Sequence, residues 1–336
     1  MNGSIHEMRA LVTGSTGFIG SHICRALAGQ GETVRAFHRP SSPLTLLEDI
    51  PVEHAVGDLT DPSSLESAMQ GIDVVFHTAA QLGSRKSFEQ NMTVTVQGTQ
   101  NVLNAAFRAG VKRVVHTSSV AALGVPPKKY LSTPYLIDEH YTWNFRPDWW
   151  LYGYAKYLAE LEVQKAVAKG LDVVIVNPTV VLGAGDINLI SGSIVLHVAK
   201  RHIPVSISGG LNIIHIDDVV RGHLAALERG CRGERYILGN QNLTHYQHLS
   251  LIAQVAGVPP PFFSLPDGFL PFLVFPLSLA HTLLHLPLTG SDLHRAGCYF
   301  YYDTRKAQTE LGLTDMLPVR QAIDETLAWY KKTGLL

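Results

Sequence analysis

Three groups of residues have the types and spacing that chemistry needs. Tyr152-Gly153-Tyr154-Ala155-Lys156 opens a helical pattern. Residues four apart share a helix face, so Tyr152 and Lys156 point the same way, whereas Tyr154 falls on another face and is expected to pack. An ammonium beside a phenol lowers the phenol pKa and makes it a workable proton donor or acceptor near neutral pH; a Tyr-x-x-x-Lys pair also arises as ordinary helix composition. Thr117-Ser118-Ser119 closes a β-rich run, where a hydroxyl either binds a substrate oxygen or caps a turn. The third group is Thr13-Gly14-Ser15-Thr16-Gly17-Phe18-Ile19-Gly20, which follows an apolar run and precedes helix-forming sequence. It reads as strand, tight turn and helix. Gly14 lets the chain turn, Gly17 lets backbone approach a bulky anion, and Gly20 lets the helix sit close to the strand. The N–H groups of the helix start then face a pyrophosphate. The spacing is G-x-x-G-x-x-G, not the commoner G-x-G-x-x-G, and a purely structural turn is the competing reading.

Two further positions bear on the same ligand. His38-Arg39 ends the second strand pattern, where dinucleotide folds that prefer NAD carry an acid. No acid is present. An arginine forks onto a ribose 2′-phosphate through charge-assisted bonds worth about 1.5–3 kcal/mol, which favours NADP, with NAD possible; a solvated arginine is the alternative. Asp58, in Gly57-Asp58-Leu59, accepts the adenine amino group or serves as a turn or cap residue, a role Asp61 could also fill.

The elements that must position these groups alternate. Apolar β-rich runs at 33–37, 52–56, 72–77, 113–117 and 172–177 are separated by helical patterns at 63–70, 88–109 and 152–169. Such alternation predicts an α/β fold, a doubly wound parallel sheet with helices on both faces and a ligand cleft beyond the strand ends. After Pro178 the rhythm breaks into helices at 191–200, 217–228 and 246–255 and short strands at 203–207 and 235–238. The expected division is a dinucleotide-binding domain over 1–182, with 212–240 returning to it, and an interwoven substrate-binding domain from 183–211 and 241–336. The chain has 336 residues, 46% hydrophobic and 16% charged, with a formal net charge of −1. That supports a substantial core and gives no general drive toward nucleic acid or acidic membranes. Three scattered cysteines and an N-terminus without an apolar core favour reduced thiols and a cytoplasmic location. Residues 268–291 contain no charged side chain. They read as a buried wall of the substrate domain, an apolar lid or peripheral membrane contact, or, against three prolines, a membrane span.

Taken together, Thr13-Gly14-x-x-Gly17-x-x-Gly20, Gly57-Asp58-Leu59, His77-Thr78-Ala79-Ala80, Thr117-Ser118-Ser119, Tyr152-x-x-x-Lys156 and Asn177-Pro178-Thr179 resemble, in order and over most of the chain, an extended short-chain dehydrogenase/reductase of the NAD-dependent epimerase/dehydratase superfamily. The stretches 215–219 and 303–307 resemble the family's second half. The resemblance implies a Rossmann sheet and a Ser-Tyr-Lys site. Ser119 matches the serine on the substrate oxygen, Tyr152 the acid/base, and Lys156 the residue that holds the nicotinamide ribose and depresses the tyrosine pKa. The implied cofactor contacts are Gly14, Thr16, Gly17, Phe18, Ile19, His38, Arg39, Asp58, Leu59, Ala79, Ala80, Thr117, Tyr152, Lys156, Pro178 and Thr179. One departure stands out. Thr95 occupies the place where the family carries an asparagine, and Asn91 sits one turn earlier.

No Gly-x-Ser-x-Gly elbow, Gly-Lys-Ser/Thr loop or His-Glu-x-x-His pattern occurs, so no metal site is expected. Val34-Arg35-Ala36-Phe37-His38-Arg39 is similar to the dihydroflavonol reductase-like and 3β-hydroxysteroid dehydrogenase-like branches. Nucleotide-sugar enzymes often carry an arginine just before the stretch matched by 215–218; this chain has 210–214 without one, and its cleft is expected to be short of fixed cations. The expectation is an NADPH-dependent reductase of a carbonyl on a fairly apolar small molecule. The alternatives are a nucleotide-sugar epimerase or dehydratase with bound NAD(P), and a non-catalytic dinucleotide sensor. The helices at 88–109 and 152–169 could form a homodimer bundle, as they do in relatives.

Overall fold

The computed structural model describes residues 8–81, 88–127, 134–266 and 295–336. The apolar segment 268–291 therefore lies outside the described residues. The elements, in chain order, are β1 (Arg9–Thr13), α1 (Phe18–Gly29), β2 (Thr33–His38), β3 (Glu53–Val56), α2 (Pro62–Ala68), β4 (Val74–His77), α3 (Phe88–Asn91), a π-helical stretch (Met92–Gln97), α4 (Gly98–Ala109) and β5 (Arg113–Thr117). A 3-10 turn (Val120–Leu123), β6 (Leu136–Ile137), a second 3-10 turn (Pro147–Trp149), α5 (Leu151–Ala168), β7 (Val173–Pro178) and β8 (Val180–Leu182) follow. The remainder is α6 (Ser193–Ala199), β9 (Ser206–Ile207), β10 (Gly210–His215), α7 (Ile216–Arg229), β11 (Arg235–Leu238), β12 (Gln241–Thr244), α8 (His245–Ala256), β13 (Ser264–Leu265), β14 (Tyr301–Tyr302), α9 (Arg305–Leu311) and α10 (Val319–Lys332).

Seven strands form one sheet in the order β11-β7-β5-β4-β1-β2-β3, and every pairing in it is parallel. Parallel strands are covered on both faces, which is why β4 and β7 are apolar nearly throughout and wholly buried. Ile23 and Leu27 of α1, Val219 of α7 and Leu311 of α9 pack over Val12, Phe76 and Val115 on one face. Leu65 of α2, Val102 and Leu103 of α4 and Val163 of α5 cover Leu11, Val75 and Val114 on the other. The direction of winding reverses between β1 and β4, and a crevice opens beyond their carboxyl ends.

A third core gathers α6, α8 and α10 through Val195, Leu249, Ile252, Ile323, Leu327 and Tyr330. Beside it stands a three-stranded sheet in the order β12-β10-β8. Within 212–240, α7 and β11 belong with the main sheet while β10 pairs with β8 and β12. The chain passes from the main sheet to the smaller one twice, at Thr179 and at Gly239-Asn240, and returns between them through α7. Asn212 of β10 ties both crossings together: its Oδ1 accepts from Thr179 Oγ1 at 2.9 Å and from the Asn240 N–H at 3.0 Å.

The single helix expected over 88–109 is interrupted by the π-helical stretch. Thr93, Val94, Thr95 and Val96 are β-branched in succession, which crowds an α-turn. The Thr99 hydroxyl also donates to the Thr95 carbonyl at 2.6 Å and competes with the regular ladder. The strand expected at 203–207 shortens to Ser206–Ile207.

Candidate active site

The glycine-rich turn is built by close approach. Gly14 has φ +68°, and a Cβ there would lie 2.8 Å from the Ala79 backbone and from Thr78 Oγ1. Turn and β4 exit are thereby pressed together, and Thr78 Oγ1 donates to the Thr13 carbonyl at 2.7 Å. A Cβ on Gly20 would meet the Gly14 carbonyl oxygen at 2.2 Å, so Gly20 serves contact with the turn rather than with the strand. Gly17 caps α1 without a side-chain hydrogen bond. The first-turn N–H groups thus have no side-chain acceptor and face the crevice, as an anion cradle requires.

Ser119, Tyr152 and Lys156 converge on this crevice from two directions. Ser119 follows β5 in extended conformation and caps the 3-10 turn, its Oγ accepting the Ala121 N–H at 3.2 Å. Tyr152 enters from α5. A Cβ on the neighbouring Gly153 would lie 2.8 Å from the Ala121 carbonyl oxygen, so only glycine lets the helix start touch the turn that Ser119 caps. The result is that Ser119 and Tyr152 face the same cavity, close enough for Ser119 to act on the Tyr152 phenol. Lys156, one turn along, is buried and donates from Nζ to the Thr117 carbonyl at 2.8 Å.

The electrostatics differ from the sequence expectation. Burial pushes the Tyr152 phenol above its ordinary range, and the group that pulls it back is Ser119, not Lys156. Burial also lowers Lys156 to about 8, with Glu160 opposing. Low-polarity walls disfavour the charged form of both groups, and the ammonium is directed at a backbone carbonyl.

Beneath the site lies a polar network that short-range sequence reasoning missed. Glu160 is fully buried, four residues after Lys156 on the same helix face. It accepts from Ser118 Oγ and from Asn177 Nδ2 at 2.7 Å, and pairs with Arg235 at 2.7 Å. Asn177 also donates to the Ser119 carbonyl at 3.0 Å. The ends of β5, β7 and β11 are thus fastened to α5. Three buried histidines flank the network. His77 lies between Thr13 and Thr99, His223 meets Thr117 Oγ1 at 2.8 Å, and His116 has no hydrogen-bond partner at either ring nitrogen. Burial lowers His77 to about 3 and His223 to about 4, so these rings are neutral.

A cavity of about 820 Å³ joins the pieces. Its wall includes Gly14, Gly17, Phe18, Ile19, Ala80, Thr117, Ser119, Tyr152, Lys156, Pro178 and Thr179 of the expected set. The remainder, Thr16, His38, Arg39, Asp58, Leu59 and Ala79, is outside that wall. Arg39 is exposed, and its guanidinium has no partner among the described residues. His38 Nε2 faces His54 Nδ1 at 3.1 Å. Asp58 takes the turn role, its Oδ1 accepting the Thr60 N–H at 2.9 Å. Leu59 packs in the core beneath α4, and the Thr117 hydroxyl meets His223 Nε2 at 2.8 Å. Asn91 does line the cavity. Tyr154 packs as expected, its ring 5.7 Å from that of Trp143.

The far end of the cavity is mostly apolar: Trp149, Trp150, Val180, Ile190, Ile207 and Phe300 line it. His245 and Arg295 lie there too, the guanidinium 4.3 Å from the Trp150 ring centre. Arg295 brings a fixed cation to a wall that also carries Asp148 and Asp186. No local pattern marked Arg295, which reaches the site through tertiary folding alone. Among the described residues no helix is long and apolar enough to cross a membrane.

Comparison with known proteins agrees with this geometry. The model of the NAD dependent epimerase/dehydratase family matches residues 10–239. A Synechocystis protein named "Putative dihydroflavonol 4-reductase" is 36% identical over 96% of this chain and 94% of its own. Sterol demethylase protein B of Methylococcus capsulatus is 33% identical over 98% of this chain and 100% of its own. The crystal structure of a nucleoside-diphosphate-sugar epimerase from Pseudomonas aeruginosa superimposes with a TM-score of 0.78 at 26% identity, covering 97% of this chain and 98% of that one. Turn, sheet order and relatives together place the chain in the NAD-dependent epimerase/dehydratase family, as an NAD(P)-binding oxidoreductase of the extended short-chain dehydrogenase/reductase type.

Proposed function

We propose that this protein reduces a carbonyl on a largely apolar small molecule with NADPH, using Ser119, Tyr152 and Lys156. The observation that carries the reading is one cavity holding the glycine-rich turn, the Ser119–Tyr152 pair, Lys156 and an apolar far wall. The cradle at Gly14 and Gly20 leaves room for backbone to approach a pyrophosphate and none for a side chain, which fits a dinucleotide. When bound, the nicotinamide supplies the hydride. Ser119 and Tyr152 hold the carbonyl oxygen, and Tyr152 gives it the proton. Lys156, fixed on the Thr117 carbonyl, orients the ribose. Arg39, exposed beside the end of β2, is available for a 2′-phosphate.

The test is oxidation of NADPH against aromatic, steroid and aliphatic ketones, with a nucleotide sugar as control. Turnover of an apolar ketone that needs added NADPH supports the reading. Arg295 over Trp150 favours a second one, an epimerase or dehydratase acting on a substrate with an anionic part. Tightly held NAD that survives purification, with turnover of the nucleotide sugar and no added cofactor, would select it. The helices α4 and α5 expose Phe107 and Leu161, which supports pairing of two copies along that face; the mass in solution tests this.

A further inference from the structure

The lobe formed by α6, α8, α10, β9, β10, β12 and β13 displays apolar rings on its surface. Phe262 is 79% exposed and Phe263 is 53% exposed, side by side on one ribbon. The ribbon is held down. The Phe262 N–H donates to the Pro204 carbonyl at 2.9 Å, the Ser206 N–H to the Phe263 carbonyl at 3.0 Å, and β13 pairs with β9 immediately after. The backbone bonds are thus satisfied internally while two rings are displayed to solvent.

The charged residues just before Pro204 have one sign. Lys200, Arg201 and His202 are exposed and lie just before Pro204, within about 14 Å along the chain. Between residues 187 and 215, and again between 240 and 265, there is no Asp or Glu. Exposed aromatics beside a run of cations match an anionic lipid surface. Rings enter the headgroup boundary while Lys and Arg reach the phosphates.

We propose that the Phe262-Phe263 ribbon and the Lys200-Arg201 pair form a docking surface for an anionic phospholipid bilayer. Ile207, on the strand paired with the ribbon, lines the cavity, so docking brings the apolar end of the cavity to the membrane face. That consequence rests on the proposed apolar substrate; the docking surface does not.

The experiment is co-sedimentation of the full chain with phosphatidylcholine vesicles and with vesicles of phosphatidylcholine mixed with phosphatidylglycerol, without substrate or NADPH. The expected result is binding to the mixed vesicles that weakens with added salt. Phe262→Ser/Phe263→Ser lowers the partition coefficient about tenfold or more, and Lys200→Glu/Arg201→Glu does so by a similar factor. Thermal unfolding stays unchanged in both variants. Equal binding to neutral and mixed vesicles, or variants that sediment like the parent, would overturn the proposal. So would absence of binding, or loss of a dimer on size-exclusion chromatography in the double phenylalanine variant, which would make the ribbon a self-contact.

Discussion

Gly153→Ala tests whether the contact between α5 and the 3-10 turn sets the geometry of the site. The added methyl carbon would start 2.8 Å from the Ala121 carbonyl oxygen, 2.8 Å from Trp143 Cζ3 and 2.9 Å from Trp150 Cδ2. Reaching an ordinary separation of about 3.5 Å forces the helix start back by more than roughly half an ångström. Overpacking of this kind costs about 1–3 kcal/mol, and the better helix propensity of alanine returns about 1 kcal/mol. Stability should therefore fall by no more than about 2 kcal/mol. The catalytic effect is larger. Tyr152 precedes the substituted residue and moves with it, away from Ser119. A misplacement of about 1 Å is worth about a hundredfold, so half of that predicts about tenfold in kcat. The assay is steady-state NADPH oxidation with the best ketone of the panel, together with thermal unfolding. KM for NADPH should hold, because the glycine-rich turn is not displaced. Gly29→Ala, with nothing within 4 Å of the new carbon, is the control. Unchanged kcat in a folded Gly153→Ala protein would refute the reasoning.

Other outcomes follow from the same geometry. Tyr152→Phe should lower kcat by about 10²–10⁴-fold while the dissociation constant for NADPH, read by fluorescence titration, stays put. Arg39→Ala should weaken NADPH about tenfold or more and leave NADH nearly untouched; equal losses would remove the 2′-phosphate assignment. Lys156, lowered to about 8, loses its proton as pH rises through that value, so kcat/KM should fall there. Stability should not fall with it: the unfolded chain holds this proton more tightly, so this group's contribution to stability rises between about pH 8 and its ordinary value. A pH profile and urea unfolding over the same range separate the two. Glu160→Ala leaves Arg235 without its buried partner and should cost about 3–5 kcal/mol in urea unfolding.

Most of the main sheet was legible because parallel strands are apolar on both sides. Arg113–Thr117 and Arg235–Leu238 could be read to the residue. The turn from Gly14 to Gly20 was equally plain, since close backbone approach tolerates no other residue. What escaped depends on distance in sequence. Glu160 is joined to Ser118, Asn177 and Arg235, and nothing local marks such a set. The π-helical stretch escaped because its residues read as part of one helix over 88–109. The balance of effects on the Tyr152 phenol was not legible for another reason. Spacing shows that two side chains share a face, but whether a phenol is made acidic depends on how much water surrounds it.

Thr179 and Asn240, the two places where the chain passes from the main sheet to the smaller one, are held by a single amide oxygen of Asn212. Such a rivet leaves the gap between the halves little freedom to widen or narrow at its deepest point. Whatever enters must suit a width already set by the protein, and discrimination among ligands becomes a question of girth rather than of jaws closing around them.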